Sequence, residues 1–85
     1  MTHPVYDEIR RVLETHGRLG VDAAELDVDA DLYESGMTSH ASVNVMLALE
    51  DAFDVEFPDR LLKRSVFESI GSIAAAIGEL REEAA

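Results

Sequence analysis

Three histidines, a run of alternating aspartates and a serine behind a glycine are the residues with chemistry to offer in this chain. Ser39 stands in Gly36-Met37-Thr38-Ser39-His40, directly ahead of an apolar-periodic run from Ala41 to Phe53. The arrangement puts a hydroxyl at a helix N-terminus, where backbone amides are unpaired and negative charge is favoured. A phosphate ester on Ser39 would sit well there. Serine is also a preferred helix cap. The local residues leave both roles open.

Other constellations fail on geometry or spacing. His40 beside Ser39 invites a serine–histidine pair, but adjacent helical residues point in different directions and rarely act as nucleophile and base. No G-x-S-x-G turn is present, and His3, His16 and His40 are far apart, so no hydrolase set assembles. Asp27, Asp29 and Asp31 have the spacing of the first ligands of a calcium loop. The positions that need a turn glycine and a bidentate glutamate hold Leu32 and Thr38, which excludes that site. His16 is read as a favourable cation at a helix C-terminus.

The elements that must position Ser39 follow from periodicity. Thr2 caps a first helix, Pro4 suits its first turn, and Val5, Ile9, Val12 and Leu13 form its apolar face. Gly17 and Gly20 stop it near His16. Residues 18–36 form a long acidic loop anchored by Leu19, Leu26 and Leu32, with a short helical turn near Asp22 to Leu26. A second helix starts near Ser39 and runs to about Phe53. Val45, Leu49 and Phe53 make its core stripe, with Met46 and Ala52 beside it. Val43 and Leu47 form a second stripe, flanked by Glu50 and Asp51, that suits a docking surface better than the core. Pro58 ends this unit and holds Phe57 extended as a core plug. Asp59 to Arg64 make one or two helical turns, and Arg60, Lys63 and Arg64 form a solvated face with weak surface pairs. Ser69 caps a last helix on which Ile70, Ile73, Ile77 and Leu80 recur, with Glu79 and residues 81–85 as a fraying tail. The fold class is all-α: four helices, a long loop between the first and second, and a short third.

Composition narrows the function classes. With 85 residues, a single domain over 1–85 is expected. No cysteine is present, so the chain supplies no disulfide and no thiol of its own. Seven basic residues against 18 acidic ones give a net charge of −11. Nucleic acid and anionic membrane are disfavoured as partners, basic protein surfaces are favoured, and self-repulsion points to a monomer. No signal peptide or membrane span is visible, and the cytoplasm is the expected compartment.

Taken together, Gly36-Met37-Thr38-Ser39-His40, the run V-N-V-M-L-A-L-E-D-A-F from Val43 to Phe53, and Asp54-Val55-Glu56-Phe57-Pro58-Asp59 resemble the acyl carrier protein family. The specific part is the spacing from Ser39 to Phe53 to Pro58. The resemblance covers most of the chain and implies a small four-helix carrier. The serine matching Ser39 is esterified by 4′-phosphopantetheine from coenzyme A, and the thiol of that arm holds a carboxylic acid as a thioester. Such a chain is a substrate of other enzymes and has no catalysis of its own. The implied partners are a phosphopantetheinyl transferase, an acyl- or aminoacyl-loading ligase and a downstream acyl-accepting enzyme. The implied docking surface is Thr38, His40, Val43, Asn44, Leu47, Glu50 and Asp51. The chain departs from the family pattern in several places: Thr38 stands for its aspartate, His40 for an apolar residue and Asn44 for a common acid, and the segment before the last helix carries Arg60, Lys63 and Arg64. With Thr38-Ser39-His40 the chain is similar to stand-alone carriers loaded with an amino acid by synthetase-like ligases. The competing expectation is an unmodified acidic interaction module in which Ser39 is only a helix cap.

Overall fold

A computed structural model describes residues 4–84; Thr2, assigned above as a cap, and His3 lie outside them. The architecture is helical, with no strand among the described residues. Helix α1 spans Pro4–Val12, α2 Ser39–Phe53, α3 Arg64–Phe67 and α4 Ile70–Ala84.

Helix α1 presents Ile9 and Val12 to the core and carries Asp7 in its first turn and Arg10 and Arg11 in its last, complementing the helix dipole. It runs on into a π-helical turn over Leu13–Gly17 that buries Leu13. The left-handed residue that ends the turn is Arg18, at φ 52°, rather than either glycine. Gly17 stays within the π-helical turn, where a Cβ would meet Leu13 at 3.4 Å and Leu19 at 3.6 Å, both ordinary van der Waals contacts.

The loop that follows is tied down at both ends and in the middle. Leu32 is fully buried, while Leu19 and Leu26 pack partly buried against the core. The expected short turn is a 3₁₀ turn, Ala23–Glu25, with the Asp22 carboxylate accepting from the Ala24 amide. Asp27 and Asp31 are consumed in the same way, accepting from the amides of Asp29 and of Tyr33 and Glu34. Arg10 donates to the Leu26 carbonyl at 2.7 Å. The Leu32 amide donates to Glu68 and the Gly71 amide to Val28, which pins the loop to the start of α4. Its neck closes where the Gly20 amide donates to Ser35 at 3.0 Å. Gly36 passes there at φ 118°, with room for no Cβ: one would sit 3.0 Å from the Gly20 nitrogen. Ser39 follows this neck by three residues.

Helix α2 buries Ala41, Val45 and Leu49. Phe53 and Met46 are half-buried, but Ala52 is exposed, one residue off the stripe where it was expected. Phe57 plugs the core, its ring centroid 5.3 Å from that of Phe67. The segment expected to form one unit over Asp59 to Arg64 divides. A 3₁₀ turn covers Asp59–Leu61, and α3 begins at Arg64, because Leu62 and Lys63 leave helical geometry between them. Each piece sinks its own anchor: Leu61 in the first, Val66 and Phe67 in the second.

Ser69 caps α4 as expected, its hydroxyl accepting from the Ser72 amide while Ser72 Oγ accepts from the Ser69 amide. Ile70, Ile73, Ile77 and Leu80 are buried. The tail expected to fray is helical to Ala84. Arg60 spans this stretch through exposed pairs, reaching Glu79 at 2.6 Å and Glu83 one turn further on. Those two hydrogen bonds, Glu79 first, hold the Arg60 guanidinium above its ordinary pKa.

Candidate functional site

Ser39 is the first residue of α2 and is exposed. It is not the cap. Thr38 has the extended backbone a cap requires, φ −85° and ψ 165°, and its Oγ1 accepts from the Ala41 amide at 3.0 Å. Ser39 is already the first helical residue, and the Ala41 amide is taken by Thr38. Among the described residues its Oγ has no hydrogen bond, whereas Ser42 Oγ is occupied, donating to the Ser39 carbonyl at 2.6 Å. The expectation that Ser39 serves only as a cap is therefore corrected. It also follows that threonine in place of the family's aspartate keeps the cap and removes one charge. Thr38→Ala should cost about 0.5–2 kcal/mol in a denaturant melt, and Thr38→Asp should restore it.

The surroundings suit a phosphate ester. The Ala41 and Ser42 amides bond back to Thr38, leaving those of Ser39 and His40 without a backbone or side-chain acceptor among the described residues. Beside them lies a cleft of about 360 Å³ between α2 and the α3 segment. Ser39 lines it together with Tyr33, Val43, Met46, Leu62 and Phe67. His40 is exposed and makes no hydrogen bond to Ser39, and the described residues hold no cluster of metal-binding side chains.

The residues expected to dock partners divide by what they touch. Val43 and Leu47 are 51% and 53% exposed, so the second stripe of α2 faces out rather than into the core. His40, Asn44 and Asp51 are exposed as well. Glu50 is half-buried, and its carboxylate accepts from the Phe57 amide at 2.8 Å, which seats the Phe57 plug. Thr38 is exposed, but its hydroxyl is taken by the cap. Two groups escaped the sequence reading. Arg11 and His16 line a groove with Asn44, Leu47 and Asp51, which the packing of the π-helical turn on α2 creates. Leu62, 46% exposed, forms a wall of the Ser39 cleft. It stands in the two-residue break between the Asp59–Leu61 turn and α3.

Residues 8–77 match the family described as phosphopantetheine attachment site, which is most of the chain. The chain belongs to that family. It is thus a carrier protein of the acyl carrier kind, and its prosthetic group is covalent 4′-phosphopantetheine. The carrier is 48% identical over 65 residues to the aminoacyl carrier protein of Agrobacterium fabrum (strain C58), covering 76% of this chain and 78% of that protein. It is 31% identical over 78 residues to the D-alanyl carrier protein of Lactococcus lactis subsp. lactis (strain IL1403), covering 91% and 96%. It superposes at a TM-score of 0.85, with 41% identity, on a chain in a crystal structure of an engineered Bradyrhizobium japonicum glycine:[carrier protein] ligase complexed with carrier protein from Agrobacterium tumefaciens and ATP. The match covers 88% of this chain and 97% of that one. No helix among the described residues is long and apolar enough to cross a membrane.

Proposed function

We propose that Ser39 carries the 4′-phosphopantetheine arm and that the chain is an aminoacyl carrier. The observation that supports this most is the exposed Ser39 hydroxyl at the start of α2, free because Thr38 does the capping. In the attachment step the Ser39 Oγ–H bond is replaced by an Oγ–P bond. The pyrophosphate of coenzyme A breaks, adenosine 3′,5′-bisphosphate leaves, and the hydroxyl proton passes to a base of the transferase. The arm supplies the thiol this chain lacks, on which a carboxylic acid is held as a thioester. The chain's own part is to hold the ester at two free amides and to offer partner surfaces.

The amino-acid reading draws support from the aminoacyl and D-alanyl carriers above. It draws further support from a chain in the Bradyrhizobium japonicum ligase structure with glycylated carrier protein, matched at 26% identity and a TM-score of 0.74. In this reading the chain is a non-catalytic, cytoplasmic monomer. It is handed from a phosphopantetheinyl transferase to an amino acid:carrier protein ligase and then to an enzyme that takes the aminoacyl group. Docking falls to Val43 and Leu47, with His40, Asn44 and Asp51 around them and Thr38 at the edge, while Glu50 braces Phe57 beneath. The net charge of −11 steers the chain as a whole towards basic enzyme surfaces.

The test is to load the arm-bearing protein with a glycine:[carrier protein] ligase, ATP and a panel of amino acids, read by intact mass. One amino acid per arm is the expected result. Elongation of a fatty acyl chain with no aminoacylation would sink the amino-acid part. Leu47→Lys should lower loading kcat/KM about tenfold, equal to about 1.4 kcal/mol, because an exposed apolar anchor is replaced by a charge that repels a basic partner.

A further inference from the structure

Lys63 and Arg64 break the charge pattern of this surface. Among the described residues neither has a carboxylate within ion-pair distance, although the chain carries 18 acidic side chains. Arg11 pairs with Glu8, and Arg60 with Glu79 and Glu83. Arg64 is held instead by an aromatic face, its guanidinium carbon 4.1 Å from the centroid of the Tyr33 ring. Both cations line the same cleft as Ser39.

We propose that Lys63 and Arg64 receive the phosphodiester of the arm on Ser39, so that the phosphate end of the arm lies along the α2–α3 cleft instead of projecting freely. The proposal rests on Ser39 being the attachment point. Charge complementarity carries it. A phosphodiester adds an anion to a protein that is already at −11, and these are the cations left unneutralised beside the residue that bears it. Arg64 offers a forked set of donors whose position the Tyr33 ring already fixes, and Lys63 adds a point charge on a flexible stem. The amides of Ser39 and His40 approach the same anion from the helix side. Beyond the phosphate, the floor of Val43, Met46, Leu62 and Phe67 suits the apolar carbons that follow it in the arm. Arg60, next to them in sequence, is committed to Glu79 and Glu83 and takes no part.

The experiment compares amide and phosphorus NMR spectra of the full chain before and after treatment with coenzyme A and a phosphopantetheinyl transferase. Intact mass reports whether the arm is present. The expected result at low salt is a set of shifts at Tyr33, Leu62, Lys63 and Arg64 in addition to those at Thr38, Ser39 and His40. At about 1 M salt, where the screening length falls to about 3 Å, the distant shifts should drop to about half or less. The double variant Lys63→Gln, Arg64→Gln, if it bears the arm, should show the same loss at low salt. Shifts confined to the neighbours of Ser39 on an arm-bearing wild-type chain overturn this proposal alone, as do distant shifts insensitive to salt. A wild-type chain that takes no arm overturns it together with the assignment of Ser39.

Discussion

Ser39→Ala is expected to abolish arm attachment completely and to leave the fold almost untouched. The reason lies in the one-residue offset between cap and nucleophile. Thr38 Oγ1 closes the start of α2 on the Ala41 amide, and Ser39 Oγ bonds to nothing among the described residues. Removing an exposed, unpartnered hydroxyl should change stability by no more than about 0.5 kcal/mol, a shift of roughly 4 °C or less in a domain of this size. Thr38→Ala should melt lower than Ser39→Ala for the same reason. Circular dichroism melts of the two variants beside the wild type, paired with intact mass after treatment with coenzyme A and transferase, check both halves. A Ser39→Ala protein that lost more stability than Thr38→Ala would reverse the assignment of cap and attachment residue.

Leu32→Ala is expected to be a severely damaging truncation in the loop, at about 2–5 kcal/mol. Leu32 is fully buried, its amide donates to Glu68, and its carbonyl accepts from Met37 at 3.0 Å. It therefore joins the acidic loop to the end of α3 on one side and to the Gly36 neck on the other. Against a total stability of about 5–15 kcal/mol, with a small domain near the lower end, such a loss brings the chain close to unfolding. A urea titration measures it. A loss under about 1 kcal/mol would mean that the loop is draped over the bundle and does not set the position of Ser39.

What the amino acids disclosed in advance depended on how local each determinant is. The bounds of α2, the Ser69 cap and the Phe57 plug follow from short-range signals: Pro58, a serine before an isoleucine repeat, and a 3.6-residue period. The choice of Thr38 over Ser39 as cap does not. Both are good capping residues, and the backbone between Gly36 and Thr38 decides between them. That backbone is set by the close pass of Gly36 at Gly20, sixteen residues earlier. Likewise the left-handed turn falls on Arg18 rather than on Gly17 or Gly20, which no local pattern signals. The α4 end is helical to Ala84 and is met there by Arg60, distant in the chain. The basic cluster divides for the same kind of reason. Three cations close together in sequence are distributed to α4 and to the Ser39 cleft only once the break at Leu62 and Lys63 is built. Of the site itself, Ser39 and the outward stripe of Val43 and Leu47 were legible. The cleft walls Tyr33 and Leu62 come from a loop and an extended segment, and were not.

The measurement that bears most directly on the central claim is the location of the arm. The chain should be treated with coenzyme A and a phosphopantetheinyl transferase, and the product fragmented to locate the added mass among its serines. One arm, on Ser39 and on no other serine, is the expected result, since the nearest rival, Ser42, has its hydroxyl engaged at the Ser39 carbonyl. An arm on Ser42, or a chain that stays unmodified with several transferases, would contradict the account.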